Sequence, residues 1–280
     1  CGDPKEPRGP ICRVASLFGT PTLGFESSLC ATATQMCMRL VYGNNRQAFG
    51  VEPSAATNCC IIWWLNAAWW QPTRHLNFMK HKERGCKFII VDPRITPTVT
   101  SLADIHLQPR PGTDGALALG FINLLIQEDL YDHDFVENWT HGFDELKELA
   151  AEYTPEKVEE ITWVPAETLR AAVEVATQNT PTTLQSSSAG ITHTTNAGHA
   201  QRAVFMIPAL LGQVDVKGGM WFGMPALPIA GGATGRGTTT QFRMDKVMTS
   251  DEFKSRRPDK EDFPAWWTMN PHFQTAKLPE

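Results

Sequence analysis

The sequence predicts an α/β fold, a doubly wound, mostly parallel sheet flanked by helices. Three observations predict it. Short apolar runs rich in β-branched and aromatic residues recur along the chain. Longer segments with apolar residues at helical spacing separate them, and strands alternating with helices imply a parallel sheet. Polar, rigid turn chemistry follows one run after another, as in "VDPRITPTVTSLADIHLQPRPGTDGALALG" at 91–120.

Each element has its own signal. A helix is expected from about Ser27 to Leu40. "NCCIIWWL" (58–65) is a buried strand. "PTRHLNFMKHKERG" (72–85) has helical spacing and ends in Gly85, a C-cap residue. "KFIIVD" (87–92) is the next strand and "DIHLQ" (104–108) a short third. "TDGALALGFINLLIQED" (113–129) is a helix with Thr113 as N-cap and Asp114 in its first turn. "FDELKELAAEY" (143–153) and "PAETLRAAVEVATQN" (165–179) are amphipathic helices, the second with Pro165 at its start. "TTLQSSSAG" (182–190) is expected as another strand. "NAGHAQRAVFMIPALLG" (196–212) is expected as a helix that Pro208 kinks or shifts. Beyond Gly219 the pattern loosens into Gly, Pro, Trp and charge.

The chain has 280 residues, 42% of them hydrophobic and 20% charged, enough for one large or two ordinary domains. Its net charge of −5 gives no reason to expect nucleic acid as a partner. No apolar run approaches the length of a transmembrane helix. The opening "CGDPKEPRGP" lacks the layout of a signal peptide, and both ends are expected to belong to a longer chain. Residues 1–10 form a Pro/Gly-rich linker. The seven cysteines are odd in number, irregularly spaced and free of any C-x-x-C, so neither a disulfide framework nor a zinc or iron–sulfur site is expected within the segment.

In an open parallel sheet, ligands sit outside the carboxyl ends of the strands. Asn66, Asp92 and Gly112–Asp114 follow three successive strands and would share that edge. A carboxylate at a helix N-terminus can accept two N–H donors from a planar base such as guanine, and Arg94 or Arg110 suits a pyrophosphate. The plainer alternative is that Thr113 and Asp114 only cap the helix, and that Asp92-Pro93-Arg94 is only a turn. No G-x-G-x-x-G, G-x-x-x-x-G-K-[ST] or G-x-S-x-G occurs, which argues against an ordinary NAD site, a P-loop and an α/β-hydrolase. His193 lies in a polar loop, where a lone histidine is more often a local hydrogen-bonding residue. His106 within a strand is expected as a satisfied core residue, and the Trp63-Trp64 and Trp69-Trp70 pairs as core and interface filling, though one of them could wall a pocket.

Taken in order, these segments resemble the central part of the molybdopterin oxidoreductase (dimethyl sulfoxide reductase) family. "FGTPTLGFESSLC" (18–30) resembles the family stretch leading to the metal ligand, and "IIWWLNAAWWQP" (61–72) its strand ending in a Gly-x-Asn-Pro-Ala turn. "GCKFIIVDPRITPT" (85–98), "ADIHLQPRPGTDGALALGFINLLIQEDLYDHDFVENWTHGFDEL" (103–146), "YTPEKVEEITWVPAETLRAAVEVAT" (153–177) and "NAGHAQRAVFMIPALLGQVDVKGG" (196–219) follow in family order. Leu65-Asn66-Ala67 departs from the pattern, lacking its Gly and Pro, and Thr22 replaces its usual Asn.

The resemblance implies that residues 11–219 form a Rossmann-like domain binding molybdopterin guanine dinucleotide, with 220–280 a partial return into a second α/β domain. It implies two such cofactors around Mo or W, with an iron–sulfur cluster in a preceding region. By position, Asn66 would contact cofactor phosphate or ribose. Asp92 and Arg94 would sit at a guanosine end, and Gly112, Thr113 and Asp114 would hold guanine. Gly190, His193 and Asn196 would lie near the cofactor and substrate side, with His193 a catalytic candidate. Cys30 would be the protein's own ligand to the metal, since a thiolate suits a high-valent metal already bound by sulfur, while Cys37 is expected only to pack. The implied activity is two-electron transfer of an oxygen atom, a sulfur atom or a hydride on a small-molecule substrate, with an iron–sulfur electron-transfer subunit as partner. Formate is disfavoured, because Ala31 stands where formate dehydrogenases carry His. Two alternatives stay open: a non-redox hydratase or transhydroxylase on the same cofactor, and a cofactor-free structural subunit. Substrate, choice of metal and cytoplasmic or periplasmic location are left open.

Overall fold

The computed structural model describes residues 32–43 and 51–221. Cys30, the expected linker and the segment beyond 221 lie outside the described residues. Fifteen elements follow one another among those described: α1 (Thr32–Tyr42), β1 (Cys59–Trp63), α2 (Ala67–Trp70), α3 (Pro72–Glu83), β2 (Lys87–Val91), α4 (Pro97–Leu102), β3 (Ile105–Leu107), α5 (Asp114–Gln127), α6 (His133–Trp139), α7 (Phe143–Ala151), α8 (Pro155–Thr162), α9 (Ala166–Gln178), β4 (Thr182–Ser186), α10 (Ser188–Thr192) and α11 (Ala197–Leu210).

The four strands form one parallel sheet in the order β3-β2-β1-β4. Cys59–Trp63 pairs with Lys87–Val91 on one side and with Thr182–Ser186 on the other, and Ile89–Val91 pairs with Ile105–Leu107. Because all four run the same way, every strand ends at the same edge. The chain leaves β1 sideways in both directions: β1 and β4 are adjacent although more than a hundred residues separate them. The sheet is wound from its middle.

Alternation along β1 divides the core. Cys59, Ile61 and Trp63 face a large cluster with Leu117, Phe121 and Leu125 of α5 and Val204 and Phe205 of α11. Cys60 and Ile62 face a smaller cluster with Phe78 of α3 and Val99 and Leu102 of α4. Helices therefore cover both faces, which is why β1 is apolar without interruption. The large face is held closely where Gly115 of α5 meets Ala200 of α11: a Cβ on Gly115 would lie 3.4 Å from the Ala200 Cα. That approach fixes the start of α5 beside the loop that follows β4.

Two expectations are corrected. The strand expected over 182–190 ends at Ser186, and Ser188–Thr192 turns into a short helix, α10. The Ser187 N–H makes the last ladder bond, to the Trp63 carbonyl at 2.9 Å, and Ser187 then takes the N-cap position of α10. Thr113 occupies the N-cap position of α5 but makes no capping bond; its hydroxyl donates back to the Arg110 carbonyl at 2.6 Å. Pro208 sits inside α11 without ending it. Cys37 packs as expected, 1% exposed, with its thiol donating to the Gly198 carbonyl at 3.3 Å.

Candidate functional site

The carboxyl edge of the sheet gathers most of the predicted residues. β1 leads to Trp64 and Asn66, β2 to Asp92 and Arg94, β3 to Gly112, Thr113 and Asp114, and β4 to Gly190, His193 and Asn196. At Gly112 the backbone turns with φ +85°, a conformation glycine adopts without strain, and α5 begins two residues later.

Asp114 is the centre of this edge. Its side chain is 1% exposed. Oδ1 accepts the indole N–H of Trp63 at 2.7 Å and that of Trp64 at 2.5 Å. Oδ2 is buried and has no hydrogen-bond partner. Burial pushes the carboxyl above its ordinary range, and the two indole donors pull partly the other way.

Asp92 is also buried. Its Oδ1 accepts the Arg94 N–H at 2.9 Å, closing a turn, and its carbonyl accepts from Nε2 of His106 at 2.8 Å. Burial raises its pKa, while the Arg94 N–H and guanidinium oppose the shift. The Arg94 guanidinium lies exposed, 5.3 Å from the ring centroid of Trp69. Asn66 is nearly buried: Oδ1 accepts the Thr98 hydroxyl at 2.7 Å, and Nδ2 has no partner. Asn66 is held from α4 on the smaller-core side, and Asp114 by indoles from β1.

Gly190 lies against Trp64. A Cβ there would fall 2.7 Å from Cδ2 of the indole, so the pair fits only because residue 190 is glycine. His193 and Asn196 are exposed at the ends of α10 and α11. Trp64 thus touches both Gly190 and Asp114, and His193 and Asn196 lie on the loop beyond. Among the described residues no group of three or more His, Cys, Asp or Glu side chains is placed to hold a metal.

Several participants escaped sequence reasoning. Trp63 and Trp64, expected as filling or as a pocket wall, both donate to Asp114, a bond with no signal in the sequence. Thr98, which orients Asn66, is 32 residues away and carries no local signal. Gln185 of β4 is fully buried with both amide atoms unpartnered, and the Ser188 hydroxyl close by in sequence is likewise buried and unpartnered. A polar residue in a strand buried on both sides was the available sign.

Eleven buried side-chain polar atoms among the described residues have no hydrogen-bond partner, spread over several elements. Here an acceptor (Asp114 Oδ2) and a donor (Asn66 Nδ2) both lie at the carboxyl edge of one parallel sheet, where a glycine admits close approach. Fold and edge together define a doubly wound α/β domain whose candidate site lies at the carboxyl ends of its strands.

Comparison with known proteins makes this specific. The molybdopterin oxidoreductase family model matches residues 13–278. The chain belongs to that family, and membership implies a molybdopterin cofactor carrying Mo or W. It is 40% identical to acetylene hydratase of Syntrophotalea acetylenica over 173 residues, 61% of this chain and 23% of that protein. It is 38% identical to the assimilatory nitrate reductase catalytic subunit of Bacillus subtilis over 130 residues, 46% of this chain and 18% of that protein. The solved structure of acetylene hydratase from Pelobacter acetylenicus superposes with a TM-score of 0.61 at 34% identity, covering 73% of this chain and 28% of the other. The chain therefore spans about a quarter of the length of these relatives. The parallel sheet flanked by helices agrees with the expected fold class.

Proposed function

We propose that this chain is part of the catalytic subunit of a molybdenum or tungsten enzyme carrying two molybdopterin guanine dinucleotides, and that residues 11–219 grip the nucleotide end of one of them. The observation that carries the reading is Asp114, a buried carboxylate at the start of α5 with one oxygen unpartnered. Guanine offers two adjacent N–H donors, and a carboxylate is their complement.

The other roles follow from the same edge. Asn66 presents its Nδ2 to phosphate or ribose. Asp92 and Arg94 flank the guanosine, the guanidinium suited to pyrophosphate. Gly112 and Thr113 shape the turn that aims Asp114, and Gly190, His193 and Asn196 line the side toward substrate, His193 as a proton-handling candidate. Cys30 supplies the thiolate ligand to the metal. When bound, the metal centre supplies two-electron transfer of an oxygen atom, a sulfur atom or a hydride, with electrons passing to an iron–sulfur cluster or its subunit. A small molecule is the substrate. Residues 1–10 serve as a linker and 220–280 as a return into a second α/β domain. No helix among the described residues is long and apolar enough to cross a membrane.

Similarity to acetylene hydratase favours a second reading, hydration at the same centre without net electron transfer, with the metal as a Lewis acid. Metal and pterin analysis of the full catalytic subunit tests the main proposal: Mo or W with about two guanine-bearing pterins per metal is expected, and a folded protein lacking all three contradicts it. Turnover that needs no external electron acceptor would select the hydratase reading.

A further inference from the structure

The carboxylate assigned to guanine is already engaged. A carboxylate oxygen has two lone pairs, and both lone pairs of Asp114 Oδ1 are taken by the indoles of Trp63 and Trp64, at 2.7 and 2.5 Å. Only Oδ2 is open. A planar base pairing through two adjacent N–H groups needs both oxygens, so one indole must give way.

The two tryptophans differ in their freedom to do so. Trp63 belongs to β1, is 1% exposed and is fixed by ladder pairing on both sides. Trp64 is the first residue past the strand, only partly buried, with φ +59°. A bulky side chain in that left-handed conformation is strained. Its ring rests on Gly190, in the space that a Cβ at that position would take.

We propose that Trp64 is a gating and specificity-determining residue of the nucleotide pocket, its indole N–H standing in for a guanine N–H on Asp114 until a guanine nucleotide displaces it. The proposal rests on the reading that Asp114 receives guanine. In the exchange Trp63 keeps its bond, Trp64 withdraws one donor, and the base supplies two. A base lacking adjacent N–H donors cannot offset the loss, so the gate adds selectivity that an open carboxylate would lack. The exchange moves no covalent bond and no electron.

The test uses the full-length catalytic subunit made in a host that cannot synthesise molybdopterin, with GDP as probe and ADP as control. Calorimetry should show GDP binding in the wild type, loss of it in Asp114→Asn, and binding about tenfold tighter in Trp64→Phe, which keeps a ring but removes the competing N–H. Circular dichroism checks that each variant folds. Fluorine NMR of fluorotryptophan-labelled wild type gives a readout that needs no stable variant: the Trp64 resonance should shift on GDP addition and stay in place with ADP. If GDP binding depends on Asp114 but Trp64→Phe binds no tighter, or the Trp64 resonance does not move, the gate is wrong and the guanine reading stands. If no protein binds GDP, both fall.

Discussion

The side chain of Trp64 closes on the Cα of Gly190 so tightly that a Cβ at 190 would sit 2.7 Å from Cδ2 of the ring. This contact ties the end of β1 to the turn after β4, while the same indole reaches the start of α5 through Asp114. Three segments far apart in sequence thereby meet at one edge of the sheet. The contact has a direct consequence for residue 190.

Gly190→Ala should destabilise the domain by about 1–3 kcal/mol, the usual cost of forcing a methyl group into a filled space. The loss should be largely recovered in Gly190→Ala/Trp64→Ala measured against Trp64→Ala alone, because the obstructing ring is then gone. Urea denaturation of the four proteins gives the coupling energy. Additive losses would mean that the two residues do not share the space.

Thr98 is fully buried, donates to Asn66 Oδ1 and accepts the Ala68 N–H at 3.0 Å. Thr98→Val keeps the shape and removes both bonds, leaving a buried acceptor and a half-buried donor. A loss of about 2–3 kcal/mol is expected by denaturation. Asn66 would also lose its orientation, so pterin content of the purified full-length subunit should fall. Wild-type pterin content in the variant would show that Asn66 needs no such support.

Asp114 makes a pH prediction whose sign follows from burial. Its carboxyl is raised above the ordinary 3.8 in the folded chain, so the folded state holds its proton more tightly than the unfolded state. Stability from this group is present below the unfolded value and is lost as pH rises through the folded one. Asparagine does not titrate. The unfolding free energy of the wild type minus that of Asp114→Asn should therefore grow as pH falls toward 3.8 and level off at neutral pH. Asp92, shifted the same way, is present in both proteins and cancels. A difference that is flat throughout would deny Asp114 its raised pKa.

Periodicity sufficed for β1, β2 and the long helices, because a strand buried on both faces must be apolar throughout and an amphipathic helix must keep one stripe. The site was half legible. Asp114 and Gly112 stood out since turn and helix-start chemistry is local. Trp64 was legible only as packing or a pocket wall, because its bond to Asp114 spans 50 residues. The short helices α2, α4, α6, α8 and α10 carry no such signal for a related reason. At four to eight residues they complete too few turns to show a period, and tertiary contacts decide them.

Cysteine chemistry offers a test of Cys30 with its own control. Cys37, Cys59, Cys60 and Cys86 are all buried. Burial pushes the thiols of Cys37 and Cys86 up to about 11 and that of Cys59 up to about 12, and Cys60 is raised well above its usual range. A thiol reacts as thiolate, so these four should resist iodoacetamide at pH 8 in the native protein, whether or not cofactor is bound. A metal-ligating Cys30 should behave otherwise: alkylated in the cofactor-free full-length subunit, protected once the metal centre is loaded. Mass spectrometry of each cysteine peptide in both states reads the contrast. Equal labelling of Cys30 in the two states, against an unreacted background at the other four, would remove it from the metal's coordination shell.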